Sequence, residues 1–226
     1  MTKPAAILSW SGGKDAAWAL HALRQRGEVE VVGLLTTITE GYERIAMQGI
    51  RVDVLHAQAA AAGLPVIEAR IPQRADNASY EAGFADALAR VRQRWPGLRH
   101  VAFGDLFLAD IRSYREQALA DTGIEPVFPL WGRPTGDLAR EMVDQGVRAT
   151  ITCVDPRQLP SSFAGRAFDH ELLADLPERV DPCGENGEFH TFVADGPGFA
   201  APLEVRVGEV VERDGFVFAD VLPVLR

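Results

Sequence analysis

The sequence predicts an α/β fold: a doubly wound, mostly parallel sheet with helices on both faces and a loop-rich β element towards the C-terminal end. Three observations predict it. Short apolar runs alternate with amphipathic stretches of helical period through most of the chain, the pattern of parallel strands joined by crossover helices. The first apolar run, Ala5-Ala6-Ile7-Leu8, passes through the turn Ser9-Trp10-Ser11-Gly12-Gly13-Lys14-Asp15 directly into a helical stretch. With 226 residues, 47% of them hydrophobic and 24% charged, the chain has the length and composition of one substantial globular domain, or of a domain with a modest appendage.

In order, the apolar runs place strands at 6–9, 29–36, 66–71, 101–104, 125–128 and 149–154. The stretches between them carry the i, i+3, i+4 spacing of helices at 15–26, 50–62, 80–94, 110–121 and 135–145. Near Pro156 the texture changes to Pro-, Gly- and Asp-rich segments threaded with Leu159, Phe163 and Phe168, which read as ordered functional loops. After Pro202, the alternation of Leu203-Glu204-Val205-Arg206-Val207 and the turn Asp214-Gly215 before Phe216-Val217-Phe218 predict a terminal β-hairpin, at the sheet edge or in a small antiparallel subdomain. We therefore expect an α/β unit over residues 1–155 and a loop- and hairpin-rich portion over 156–226, packed together.

The glycine-rich turn carries the chemistry. Consecutive glycines let successive N–H groups turn inward into an anion-binding concavity, and the following helix points its positive dipole end at the same place. Lys14 adds a mobile charge and Ser11 a hydroxyl, while Asp15 either caps the helix or helps to hold magnesium. Residues 9–16 do not fit the G-x-x-x-x-G-K-[ST] spacing of a Walker A loop. They resemble instead the pyrophosphate loop, S-G-G-K-D-S, of ATP pyrophosphatases, which cleave ATP between the α and β phosphates; Ala16 stands where that motif closes with Ser.

Further motifs narrow the resemblance. Gly104-Asp105-Leu106 ends a strand, a helix with Tyr114 and Arg115 follows, and Pro129-Leu130-Trp131 comes next. Later stands Cys183-Gly184-Glu185-Asn186-Gly187-Glu188-Phe189-His190-Thr191. Together with the loop, this resembles the diphthine-ammonia ligase family, with its G-D-[IL] strand end, P-L-W segment and G-[GN]-G-E-F-x-T loop, over nearly the whole chain. The form D-P-C-G-E-N-G-E-F-H-T-F is similar to that of bacterial members.

The resemblance implies a sheet of the adenine nucleotide alpha hydrolase (HUP-like) type, with ATP and Mg2+ as cofactors. It also implies an ATP pyrophosphatase-type ligase that adenylates a carboxylate and lets ammonia displace AMP. Ser9, Ser11, Gly12, Gly13, Lys14, Asp15 and Gly104 are the implied nucleotide-binding residues, with Asp15 on the metal. Lys14, Asp105 and Glu188 are the implied catalytic residues, and Tyr114, Trp131, Glu185, Gly187, Phe189 and Thr191 the implied substrate-binding ones. In eukaryotic and archaeal members the acceptor is a modified histidine of elongation factor 2, whereas His190 and Phe192 imply a different substrate pocket here.

Each residue also has a plainer role. Asp105 reads equally as a helix N-cap, Tyr114 and Trp131 as core aromatics, Cys183 as a small packing residue, and Arg51, Asp53 and His56 as a solvated helix face. The net charge of −9 argues against a broad phosphate-neutralising surface, so nucleic acid is not the expected partner. No segment approaches the ~20 apolar residues of a membrane span, and the N-terminus has Lys3 but no long apolar run before the polar loop; the expected location is cytoplasmic and the expected assembly a homodimer. Two competing functions stay open: an ATP-dependent tRNA thiolation enzyme, which would use Cys153 and Cys183, and an adenine-nucleotide sensor without catalysis, to which Ala16 points.

Overall fold

The computed structural model describes residues 2–45, 47–73 and 75–224. The chain begins with β1 (Ala5–Ser9), α1 (Lys14–Arg26), β2 (Glu30–Thr39), β3 (Arg44–Ile45), α2 (Val52–Ala62) and β4 (Val66–Ile71). It continues with α3 (Asn77–Arg94), β5 (Leu98–Ala102), α4 (Ala109–Leu119), β6 (Glu125–Val127), α5 (Thr135–Asp144) and β7 (Arg148–Val154). A 3-10 turn at Ser161–Phe163, α6 (His170–Asp175), β8 (Phe189–Asp195), β9 (Val205–Arg213) and β10 (Phe216–Pro223) complete it.

The first sheet is six-stranded and parallel apart from β3. β1 lies between β2 and β5, β6 follows β5, and β4 runs along the other edge of β2. Chain order therefore runs outward from β1 to β2 and β4 on one side, and to β5 and β6 on the other. The carboxyl ends of β1 and β5 flank the point where the order reverses, which is where open α/β sheets bind ligands.

Alternation along each strand builds a core on both faces, because successive side chains in a strand point to opposite sides. Leu8, Leu34 and Ala102 enter a cluster shared with α1, α2 and α5. Their neighbours Ile7, Leu35 and Val101 enter another with Ala87, Leu88 and Val91 of α3. The doubly wound parallel sheet predicted from the alternation of apolar runs is thus present.

One strand sits elsewhere. The run at 149–154, expected in the parallel sheet, forms β7 of a second, antiparallel sheet ordered β8-β7-β10-β9. Its neighbours explain the difference. β8 grows out of the G-E-F-H-T segment, which reads as a loop because its glycines mask the alternation of Phe189, Thr191 and Val193. The hairpin β9–β10 turns at Asp214 and Gly215, both at positive φ (52° and 82°), as a two-residue hairpin turn requires. It lies in an antiparallel unit, one of the two places expected for it.

The second sheet is tied to the first sheet's loops. Trp10, Trp18 and Leu20 share a hydrophobic cluster with Ile151, Phe189 and Phe192. Ala200 N–H donates to the Ala61 carbonyl at 2.7 Å, and Arg24 reaches the carbonyls of Gly198 and Ala62. Among the described residues no helix is long and apolar enough to cross a membrane.

Candidate active site

The turn after β1 delivers backbone donors to the switch point. Gly12 has φ +77°, and a Cβ there would come within 2.7 Å of Gln58 Oε1 and 2.9 Å of Ile50, so both conformation and space demand glycine. Gly13 is the extended N-cap of α1, with no side-chain capping bond. Gln58, fully buried on α2, holds the loop from below: its Nε2 donates to the Gly12 carbonyl at 2.9 Å and to the Val193 carbonyl at 2.7 Å. Val193 N–H donates back to Gly12 O at 3.0 Å.

The first turn of α1 is then partly claimed by β8. Lys14 N–H donates to Thr191 Oγ1 at 3.0 Å, and Gly13 N–H to Ser11 Oγ at 3.3 Å. Among the described residues the N–H groups of Asp15 and Ala16 have no backbone acceptor, Asp15 N–H meeting only its own carboxyl, and they stand at the positive end of the helix dipole. Gly104, just past β5, closes the other side. A Cβ there would lie 3.0 Å from the Asp15 carbonyl carbon and 3.2 Å from Ala16 N, so the glycine lets two backbones meet.

The Lys14 side chain is buried at 2% exposure. Its Nζ donates to Asp15 Oδ2 at 2.8 Å and to the Cys183 carbonyl, and lies 5.5 and 5.4 Å from the ring centres of Phe168 and Phe189. Burial alone would lower the Lys14 pKa, but Asp15, Cys183 and Asp181 more than offset it, and the ammonium stays charged with a pKa above the ordinary lysine value. Burial pushes the Asp15 pKa up by more than the Lys14 contact pulls it down, so that carboxyl lies above its usual range.

A cavity of about 260 Å³ opens beside this loop. Ser9, Ser11, Gly13, Lys14 and Asp15 line it from the first turn, Gly104 and Asp105 from the end of β5, and Glu185, Phe189 and Thr191 from the later motif. The structure therefore brings together three segments that lie far apart in sequence. Glu185 Oε1 accepts from the N–H groups of Leu106 and Phe107, at 2.7 and 3.4 Å, which locks the later loop onto the end of β5. Burial raises the Glu185 carboxyl to about 7, with Asp15 and Asp105 adding to the effect against those two hydrogen bonds. The Asp105 carboxyl is likewise raised, by burial first, against the pull of Arg115.

Other expected residues lie outside the lining. Gly12 supports the loop from beneath. Glu188 is buried, with Oε1 accepting from Asp181 N–H at 2.9 Å and Asn186 Nδ2 at 3.1 Å, so it braces the turn from inside. Gly187 sits in that same turn at φ +81°. Tyr114 faces a separate groove between α3 and α4, and Trp131 packs on Phe128 and under Arg112.

The lining also includes Gln48, Phe103, Arg115, Cys183 and Gly184, which lie outside the implied binding and catalytic sets, and His190, which the sequence ties to the substrate pocket. Their proximity to the recognised motifs was the available signal for all but Gln48, which arrives from the turn between β3 and α2. His190 Nε2 is buried without a partner. Burial, and then Lys14, lowers the His190 pKa to about 4, so the imidazole is neutral at physiological pH.

Residues 3–126 match the model of the diphthamide synthase N-terminal domain, and residues 134–219 that of the diphthamide synthase C-terminal domain. The chain belongs to the diphthamide synthase family. The loop and the β5 end fall in the first matched region, and the Glu185–Thr191 wall in the second, so the cavity lies where the two domains of the diphthamide synthase family meet. Among curated relatives, the chain is 27% identical over 220 residues to the diphthine–ammonia ligase of Schizosaccharomyces pombe, covering 90% of this chain and 36% of that protein. It is 33% identical over 120 residues to the diphthine–ammonia ligase of Homo sapiens (50% of this chain, 45% of that protein). With that of Danio rerio it shares 32% over 120 residues (50% and 47%). Each match spans less than half the length of the relative.

Proposed function

We propose that the chain is an ATP-dependent amide-forming ligase, which adenylates a carboxylate and transfers ammonia to it, releasing AMP and pyrophosphate. The observation that carries the reading is the convergence on one cavity of a helix N-terminus with free N–H groups, the buried Lys14 ammonium and the Glu185 wall of the second domain. The family's relatives named diphthine–ammonia ligase support the same chemistry.

The chemistry follows from the groups present. A carboxylate is a poor acyl donor, so one of its oxygens attacks the α phosphorus and the bond to the bridging oxygen of the β phosphate breaks. The departing pyrophosphate gathers charge that Ser9, Ser11, the Gly13 backbone and Lys14, all lining the cavity, would meet without reorganisation at the moment of reaction. Ammonia then adds through its lone pair to the acyl carbon, the bond to the AMP oxygen breaks, and nitrogen sheds a proton to leave the amide. Glu185, raised to about 7, is poised to take that proton near neutral pH.

Magnesium fits this site. It binds nucleotide phosphates with only one or two protein carboxylates, the rest of its shell being phosphate oxygens and water. Asp15, in the first turn of α1 with Oδ1 buried and unpartnered, is the carboxylate placed to hold it, and bound there it would neutralise phosphate charge. Asp105, at the cavity, joins the proposed catalytic set, while Glu188, expected to be catalytic, lies outside the lining and is a positioning residue that braces the Glu185 turn. Phe189 and Thr191 line the acceptor side.

The test is release of AMP and pyrophosphate from ATP and magnesium with ammonium present, using chromatographic fractions of a carboxylate metabolite extract and then elongation factor 2 as acceptors. AMP that appears with wild type and is absent with Lys14→Ala supports the ligase. Turnover unchanged in Lys14→Ala overturns it, and tight ATP binding without AMP from any acceptor replaces it with a nucleotide sensor.

A further inference from the structure

The cavity holds a second cation whose donors are not spent. Arg115, midway along α4, lays its guanidinium 4.9 Å over the Phe103 ring and turns its edge towards Asp105. Nε forms an ion pair with Asp105 Oδ2 at 3.7 Å, beyond hydrogen-bond reach, and both atoms are buried with no hydrogen-bond partner among the described residues. Lys14 is more engaged: its Nζ gives two of its three donors to Asp15, at 2.8 Å, and to the Cys183 carbonyl, and lies beside two aromatic rings. Buried polar groups are normally paired, so an orphaned guanidinium edge at a cavity marks a place where a ligand supplies the missing acceptor.

The chemistry of that ligand follows from the fork. A guanidinium presents parallel N–H donors matched to two oxygens of one carboxylate or phosphate, and its ring contact keeps it oriented before binding. The remaining charged walls, Asp15, Asp105 and Glu185, are acidic. An anion entering the cavity therefore needs a counter-charge, and Arg115, ion-paired with Asp105 at 3.7 Å but not hydrogen-bonded to it, is the arginine that lines it. It stands on α4, apart from the loop and the α1 N-terminus that would take the departing pyrophosphate.

We propose that Arg115 is a second anion-binding group of the cavity, engaging the paired oxygens of either the acceptor carboxylate or the nucleotide α phosphate. Asp105 is its positioning residue, near enough to hold the guanidinium and too far to occupy it. The proposal rests on the ligase reading for the identity of its ligand, but the binding itself does not require turnover.

Binding is therefore measured on the full chain with two inert probes: α,β-methylene ATP, which is not cleaved at the α–β position, and succinate added with that analogue bound. Arg115→Gln is expected to weaken one probe by about tenfold or more, with Arg115→Lys intermediate because it keeps charge and loses the fork. Loss of succinate alone assigns the acceptor carboxylate, and loss of the analogue alone assigns the α phosphate. Wild-type affinity for both probes in Arg115→Gln overturns the proposal, as does failure of the wild type to bind either. If Arg115→Gln does not fold, Arg115→Lys gives the decision: a folded Lys variant with both affinities unchanged also overturns it. AMP release, assayed separately, reports on the ligase reading and leaves this result standing.

Discussion

Lys14 Nζ donates to the backbone carbonyl of Cys183, 169 positions further along the chain. The loop lysine thus also clasps the second domain to the first. Its ammonium beside the adjacent rings of Phe168 and Phe189 helps to fix the wall that carries Glu185 and Thr191 against the N-terminus of α1. In the proposed ligase, charge for phosphate and closure of the cavity would come from a single side chain.

Lys14→Met separates those two roles. Methionine keeps an apolar stem beside the two rings and leaves the Cys183 carbonyl without its donor, a loss of about 1–3 kcal/mol. For a chain of this size that lowers the melting temperature by roughly 2–12 °C. AMP formation is expected to fall on the order of a hundredfold or more, since preorganised charge opposite a leaving group is worth that much. Melting curves and AMP release measured on one preparation check both, and full activity in a destabilised Lys14→Met would remove the lysine from the chemistry.

Gly104→Ala tests the meeting of β5 and α1. The new methyl would press on Asp15 and Ala16 backbone at 3.0–3.2 Å, and backbone cannot swing aside as a side chain can. Overpacking of this kind costs about 1–3 kcal/mol, and it tilts the α1 N-terminus away from the phosphate position. Weaker ATP binding is expected, with Gly97→Ala, where a Cβ meets nothing within 4 Å, as the neutral control. Equal ATP affinity in the two variants would mean that the close approach does not set the loop.

The parallel sheet was legible because its signal is local and repeated: apolar strand, amphipathic helix, apolar strand. The glycine turn was legible too, since Gly12 and Gly13 declare a backbone that other residues resist. Sheet membership was not. The composition of β7 suits a buried parallel strand, and only its pairing with β8 and β10, remote in sequence, makes it antiparallel. Gln58 shows the same limit at the site: on a helix of small and apolar residues it reads as surface, yet it is fully buried beneath Gly12. Arg115 lay beside a residue singled out for its aromatic ring, and which of the two faces the cavity depends on the rotation of α4, which composition does not specify.

Neither thiol is expected to react. Cys153 is buried in β7 and its pKa is raised to about 12 by burial, with Asp155 adding to the shift. Cys183 is 1% exposed, with Sγ donating to the Thr135 carbonyl at 3.4 Å, and burial raises its thiol strongly despite Lys14 nearby. A reactive cysteine needs a lowered pKa and access. The native protein should resist an aromatic disulfide reagent that labels both cysteines after denaturation, and Cys183→Ala should keep its AMP release. Rapid native labelling, or loss of activity in Cys183→Ala at unchanged stability, would favour persulfide-based thiolation.

The two raised and lowered groups at the cavity give stability opposite pH dependences. Burial raises Glu185 from 4.5 to about 7, so the folded protein holds a proton that the unfolded chain has released. Its contribution favours the folded state at low pH and is lost as pH rises from 4.5 towards 7. His190 runs the other way: burial lowers it from 6.5 to about 4, so between those values the unfolded chain binds a proton that the folded protein refuses, and stability rises with pH. Over pH 4.5–6.5 the two slopes oppose each other in the wild type. Urea unfolding across that range should show His190→Gln losing stability relative to wild type as pH rises, and Glu185→Gln gaining it. Parallel pH profiles for the two variants would mean that these groups titrate alike in the folded and unfolded chains, and would also remove the physical basis for Glu185 as the proton acceptor at neutral pH.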